Sequence, residues 1–236
     1  MGFYHSGVPP WLVQWVAEHT PIQNAIETGT FYGDSAVLLA DSVGTCTSIE
    51  ITERYALKAK VRFINRPDIT IIHGDSRVVL RELCSANAVS AFYWLDGHFS
   101  GGDTGGEGEP CPLLDELDAI QTSPARDSCV IAIDDARLFG MSHELDPNMQ
   151  FYPRLSTVLG TLERYGAHAF LVDDVVIGVP APLASSFMSL CTSPSLRQRT
   201  NVGAVWSAVR WATLFKSQIS TARAAARKLK ARLRNS

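Results

Sequence analysis

The sequence predicts an α/β fold: a doubly wound, mostly parallel seven-stranded sheet with an antiparallel edge strand, followed by a C-terminal amphipathic basic helix. Three observations predict it. Five short apolar runs alternate with helical patterns, which argues for parallel strands joined by crossover helices. The first run, Ala25-Ile26-Glu27-Thr28, ends in Gly29-Thr30-Phe31-Tyr32-Gly33, a tight turn that opens into a helix. Two final runs share an Asp173-Asp174 turn and read as a hairpin, which brings in one strand antiparallel.

The elements follow in order. Val8-Pro9-Pro10 precedes an amphipathic helix, Trp11 to His19, with Trp11, Leu12, Trp15 and Val16 on one face, placed to cap the sheet or the ligand site. The glycine turn leads to a helix over Ser35–Asp41. Thr45–Ile51 is the second strand and Glu53–Phe63 the helix after it. Pro67-Asp68 turns into the third strand, Ile69–His73, which ends in Gly74-Asp75-Ser76. A helix over Arg77–Ser85 precedes the fourth strand, Ala91–Leu95. Residues 99–110, with five glycines, form a loop that either closes over an acceptor or is a solvated acidic loop. Pro112–Thr122 is helical, Val130–Ile133 is the fifth strand, and a polar loop at 140–153 precedes a helix over Arg154–Tyr165. His168–Val172 and Val175–Val179 make the hairpin. The organisation is a capping helix over 1–20, an α/β domain over 21–182 and a basic, mostly helical extension over 183–236.

Composition narrows the class. At 46% hydrophobic and 19% charged the chain reads as soluble, and no run of 18 apolar residues marks a membrane span. Residues 1–20 lack the basic start of a signal peptide. Five cysteines without a C-x-x-C pair point to a reducing, cytoplasmic compartment and away from a zinc cluster, with Cys84 and Cys129 as small core residues. Charge is divided. All 24 acidic residues lie in the first 174, with 11 of the 21 basic ones, a net −13; the other ten basic residues follow. In the tail, Ala212, Phe215, Ile219, Ala222, Ala226, Leu229 and Leu233 alternate spacings of three and four, one apolar stripe with Arg and Lys around it. It suits self-association or docking, or an anionic membrane surface, which would make the location peripheral to the membrane. Met1-Gly2-Phe3-Tyr4-His5-Ser6 formally matches an N-myristoylation pattern.

The first strand end separates two ligand classes. A dinucleotide site wants G-x-G-x-x-G under a pyrophosphate. Here the second and third glycine positions are Phe31 and Asp34, and Glu27 and Asp34 repel a pyrophosphate. A ligand with a cationic ammonium and no phosphate suits Glu27, and S-adenosylmethionine is one. Glu50 ends the second strand 21 residues after Gly29, the spacing at which a carboxylate accepts a ribose diol. Asp96 and His98 follow the fourth strand, and Asp134 and Asp135 the fifth. Three aspartates at adjacent strand ends repel one another unless protons or a cation offset them, and oxygen ligands suit Mg²⁺. His98 is a candidate general base near neutral pH. His73 reads as a packed strand histidine, while His5, His19, His143 and His168 lack partners.

Across roughly residues 20–180 the chain resembles the class I S-adenosylmethionine-dependent methyltransferases, with their Rossmann-like fold. The E-x-G-x-x-x-G-x-S run from Glu27 through Gly29 and Gly33 to Ser35 is similar to their first motif. The resemblance implies that Glu27 and the Gly29–Gly33 turn hold the methionine part. It places Asp75 and Ser76 at the adenine edge, where Asp-Ser also makes a good helix N-cap. Leu95-Asp96-Gly97-His98 and Ile133-Asp134-Asp135 look like motifs of bacterial small-molecule O-methyltransferases, nearest the macrocin O-methyltransferase-like family that acts on sugars. That family implies Mg²⁺ held by Asp96, Asp134 and Asp135, with Asp96 also at the cofactor. His98 stands where the sugar-methylating enzymes tend to carry an acid, and can act as base without a metal. The alternative for Asp134-Asp135 is helix capping with a salt bridge to Arg137. The expected reaction is methyl transfer to a hydroxyl of a small, sugar-like acceptor. Nucleic acid is not expected, because no N/D-P-P-Y/F motif follows the fourth strand and the body is acidic. The rival reading is a non-catalytic cofactor-binding scaffold acting through its basic tail.

Overall fold

The structure, a computed structural model, describes residues 7–86, 89–98, 111–140 and 150–193. The chain divides into two units, Met1–Thr192 and Ser193–Ser236. The loop at 99–110, most of the loop at 140–153, the tail stripe, His5, His143 and the N-terminal hexapeptide lie outside the described residues. In the first unit α1 (Pro10–His19) leads to β1 (Asn24–Thr28), α2 (Asp34–Val43), β2 (Thr45–Glu50), α3 (Glu53–Arg62) and β3 (Ile69–His73). Then come α4 (Ser76–Ala86), β4 (Phe92–Leu95), α5 (Leu113–Gln121), β5 (Val130–Ile133), the single-turn α6 (Ala136–Phe139) and α7 (Leu155–Arg164). β6 (Ala167–Val172), β7 (Val175–Pro180) and α8 (Ala181–Thr192) close the unit.

The strands form one seven-stranded sheet in the order β3-β2-β1-β4-β5-β7-β6. β1 to β5 pair in parallel, and β7 runs antiparallel between β5 and β6. The order reverses between β1 and β4, so a crevice opens at their carboxyl ends. Central strands covered on both faces need unbroken apolar runs. Phe92-Tyr93-Trp94-Leu95 and Val130-Ile131-Ala132-Ile133 are such runs, all buried. Edge strand β6 instead alternates between half-buried and exposed positions. Asp173 and Asp174 both have positive φ, the pairing that a two-residue hairpin turn uses to match strand twist.

α1 and α8 are joined by aromatic packing. The Phe187 ring, fully buried, lies 4.7 Å from Trp15 edge-on and 4.9 Å from Phe170 of β6. The capping helix therefore meets the last helix of its own unit. His73 departs from the expected packed histidine. It ends β3 with its side chain exposed, Nε2 3.2 Å from the Ile51 carbonyl oxygen. Among the described residues no helix is long and apolar enough to cross a membrane. Phe187→Ala should cost about 3–5 kcal/mol of stability, the range for emptying a buried aromatic site. Urea unfolding checks this; a loss under 1 kcal/mol would show that α8 does not secure α1.

Candidate active site

Three backbone devices build the crevice. Gly29, at φ +85°, lies so close to the next strand end that a Cβ would stand 2.3 Å from the Asp96 carbonyl oxygen. The Thr28 hydroxyl accepts the N–H groups of Asp96 and Gly97, at 3.2 and 3.1 Å, which ties β4's exit to β1's. Glu50 is buried and accepts from Phe31 N–H at 2.9 Å and Thr52 N–H at 2.8 Å. Its carboxylate thus fastens the glycine turn to the start of α3 and holds Phe31 at φ +48°, a conformation that costs a non-glycine residue energy.

Acidic groups gather at the strand ends. Glu27 is fully enclosed, and Ser48 Oγ donates to its Oε2 at 2.5 Å while lying 2.6 Å from Thr30 Oγ1. Burial, against the Ser48 hydrogen bond and aided by the Glu50 charge, pushes the Glu27 carboxyl up to about 8. Asp96 lies deep in the crevice with 30% of its side chain open. Burial and then the charges of Asp134 and Asp135 hold it well above the usual carboxylate range. Burial and the Asp135 charge push Asp134 up to about 7. A cationic ligand in the crevice would favour the ionised forms of these carboxyls.

His98 and Asp135 form a different kind of cluster. His98 Nε2 stands 3.1 Å from Asp135 Oδ2 and 4.0 Å from Asp96 Oδ1. Phe139 and Tyr152 pack edge-on against the imidazole, with centroids 6.2 and 5.9 Å away. Arg137 Nη1 lies 2.5 Å from Asp135 Oδ1 and also pairs with Asp174 Oδ2. Asp174 Oδ1 accepts the Arg137 N–H at 2.8 Å, so the hairpin turn seats α6. Burial acts to raise Asp135, but the His98 hydrogen bond and the Arg137 charge outweigh it and keep the carboxylate ionised.

The expected metal ligands come together without a metal-ligand arrangement. A divalent cation needs carboxylate oxygens turned to a common point. Asp135 directs one oxygen to His98 and the other to Arg137, and Asp134 Oδ1 accepts the Asp135 N–H at 2.7 Å. Among the described residues no group of His, Cys, Asp and Glu is arranged to hold a metal ion. The Mg²⁺ expectation at Asp96, Asp134 and Asp135 does not fit this donor set, because the guanidinium already supplies the cation.

Other expected residues have structural partners. Ser35 Oγ accepts the Val8 N–H at 3.2 Å, which ties the N-terminal segment to α2. Gly33, at φ +82°, precedes α2, and a Cβ there would strike the Phe63 ring at 2.6 Å. Asp75 accepts from the Arg77 side chain and its N–H, the capping role, and these bonds pull its pKa down. Ser76 is buried beside Glu116 and hydrogen-bonds it. Glu116 was not expected. It sits beneath Gly97, its Oε1 has no hydrogen-bond partner among the described residues, and burial raises its carboxyl. The available signal was an acid among Leu113, Leu117 and Ile120 on the apolar face of α5.

No protein-family model matches the chain, and no curated protein matches it. Solved structures share its fold. An S-adenosylhomocysteine-bound methyltransferase from Podospora anserina, PaMTH1, aligns at 13% identity over 72% of this chain and 76% of its own, with a TM-score of 0.53. A putative O-methyltransferase from Klebsiella pneumoniae aligns at 12% identity over 76% of this chain and 84% of its own, with a TM-score of 0.54. The seven-stranded sheet with flanking helices is the Rossmann-like arrangement of these methyltransferases.

Stability should report the buried acids. Between pH 4.5 and about 8 the folded state holds a Glu27 proton that the unfolded chain has released. Stability must then fall as pH rises through that window, by about 1.4 kcal/mol per unit for one such group. Asp96 and Asp134 act in the same direction, whereas the lowered Asp75 and Asp135 act only in more acid solution. Thermal melts of the ligand-free protein should therefore show a decline from pH 5 to 8. Melting temperatures that rise across that range would contradict the protonated cluster.

Proposed function

We propose that this chain is an S-adenosylmethionine-dependent O-methyltransferase acting on a hydroxyl of a small acceptor, with a sugar or glycoside as the acceptor class. One observation carries the reading: Glu27, Asp96 and Asp134 stand at or near the ends of the neighbouring strands β1, β4 and β5 with no cation paired to them among the described residues. A ligand with an ammonium and a sulfonium answers that demand, and a phosphate-bearing one does not. The shared fold supports the cofactor, since PaMTH1 holds S-adenosylhomocysteine. The sugar class is supported by the Leu-Asp-Gly-His and Ile-Asp-Asp motifs alone.

Bound in the crevice, S-adenosylmethionine supplies an electrophilic methyl and a sulfur leaving group. Glu27 and Asp96 face its positive charges. Glu50 offers the remaining lone pairs of its carboxylate to the ribose hydroxyls, while Gly29 and Gly33 keep the turn free of side chains. With Asp135 ionised, His98 Nε2–H would donate to it, and Nδ1 would be the nitrogen left to take a proton from an acceptor hydroxyl. Asp135 then stabilises the imidazolium, and Arg137 with Asp174 keeps Asp135 in place. The metal-independent reading follows from the Asp135 pairing.

Calorimetry with S-adenosylhomocysteine, then turnover over a panel of hydroxylated acceptors, tests the assignment. His98→Ala should lower turnover about 10²–10⁴-fold and leave cofactor affinity nearly unchanged. Glu27→Ala should weaken cofactor binding by about 1–3 kcal/mol. Activity should persist in excess EDTA and gain nothing from added Mg²⁺. Binding without turnover on any acceptor would favour a non-catalytic scaffold, and restoration by Mg²⁺ after chelation would return the metal to the site.

A further inference from the structure

Helix α3 has apolar residues on opposite faces. Tyr55, Ala56 and Ala59 are buried against the domain. On the far side Leu57, Val61 and, in the following turn, Ile64 are 55, 73 and 79% exposed. Helical geometry puts these three within an arc of about 60°, with Lys58 and Lys60 bordering it on either side. The crevice rim lies on the other side of the helix, against Tyr55. Phe31 and Tyr32 stand exposed on the glycine turn, with ring centroids 4.8 and 5.8 Å from Tyr55. Three of the ten large apolar side chains exposed among the described residues, Leu57, Val61 and Ile64, make up this arc.

The charge around the patch opposes that of the body. Residues 53–66 carry Arg54, Lys58, Lys60, Arg62 and Arg66 against the single acid Glu53, within a region whose net charge is −13. Arg62 and Arg66 are paired with Asp34, Asp41 and Asp68. Lys58 and Lys60 are exposed beside the apolar arc. A second copy docking through the same face would set like charges together. Residues 193–236, with ten basic residues and no acid, offer no complementary charge either. An apolar wedge between cations suits a surface that is anionic outside and apolar beneath.

We propose that the exposed face of α3, Leu57, Val61 and Ile64 between Lys58 and Lys60, is a docking surface for anionic lipid bilayers. Residues 193–236 have the same basic and apolar composition and would add to the attachment.

The test uses the full chain in co-sedimentation with phosphatidylcholine vesicles, with and without about 30% phosphatidylserine, at low and high salt. The expected result is salt-sensitive binding to the anionic vesicles alone. Val61→Asp/Ile64→Asp and, separately, Lys58→Glu/Lys60→Glu should each reduce partitioning at least about tenfold. Circular dichroism and thermal melting confirm that each variant is folded, and Leu57→Gln/Val61→Gln replaces the first pair if it is not. No binding by the intact chain overturns the proposal. So does equal binding by folded variants, which would assign attachment to another segment. Sedimentation velocity covers the remaining case: a variant that changes only oligomeric state shows a self-association face and also overturns it.

Discussion

The crowding of buried carboxyls at the ends of β1, β4 and β5 is the constraint on which this molecule depends. Glu27, Asp96, Asp134, Asp135 and Glu116 lie within or beneath one crevice, largely out of water. Burying a carboxylate without a partner costs several kcal/mol, so each must keep a proton or find a cation. The protein uses both solutions. Glu27, Asp96, Asp134 and Glu116 are pushed toward the neutral form. Asp135 stays ionised because Arg137 and His98 bracket it. The division separates carboxyls without a cationic partner from one already neutralised and oriented.

The scaffold that holds these groups relies on polar side chains acting on backbone. Thr28 joins β4 to β1 through two N–H groups, and Glu50 joins the glycine turn to α3. Phe31, with positive φ, sits in the turn that Glu50 holds, whereas Asp135, also with positive φ, is held by His98 and Arg137. Strain persists where surrounding structure over-determines it.

Much of this was legible in the sequence, for identifiable reasons. β3 and β5 have the bounds expected, since Pro67-Asp68 and Gly74 frame one apolar run and Asp134-Asp135 ends the other. Asp96, Asp134 and Asp135 could be brought together in advance because neighbouring parallel strands end at one edge, whereas the pairing of His98 with Asp135 was not foreseen. The roles of Ser35 and Asp75 were less legible, because their partners Val8 and Arg77 compete with a ligand for the same atoms. The pairing of Arg137 with Asp174 spans 37 residues and depends on β7 inserting beside β5, which no local pattern encodes. Glu116 needed only a wheel of α5, where a carboxyl interrupts an apolar face.

The clamp on Arg137 also orders events in time. Every carboxyl of the crevice lies before residue 136, whereas the side chain that steadies Arg137 arrives at Asp174. Chains emerge from the ribosome N-terminus first, at about 5–20 residues per second. A nascent chain can therefore present its acidic crevice seconds before β7 threads into the sheet and sets the imidazole and its carboxylate in register. The hairpin is a late closure, because the His98–Asp135 pair is held in register only once β7 has joined the sheet.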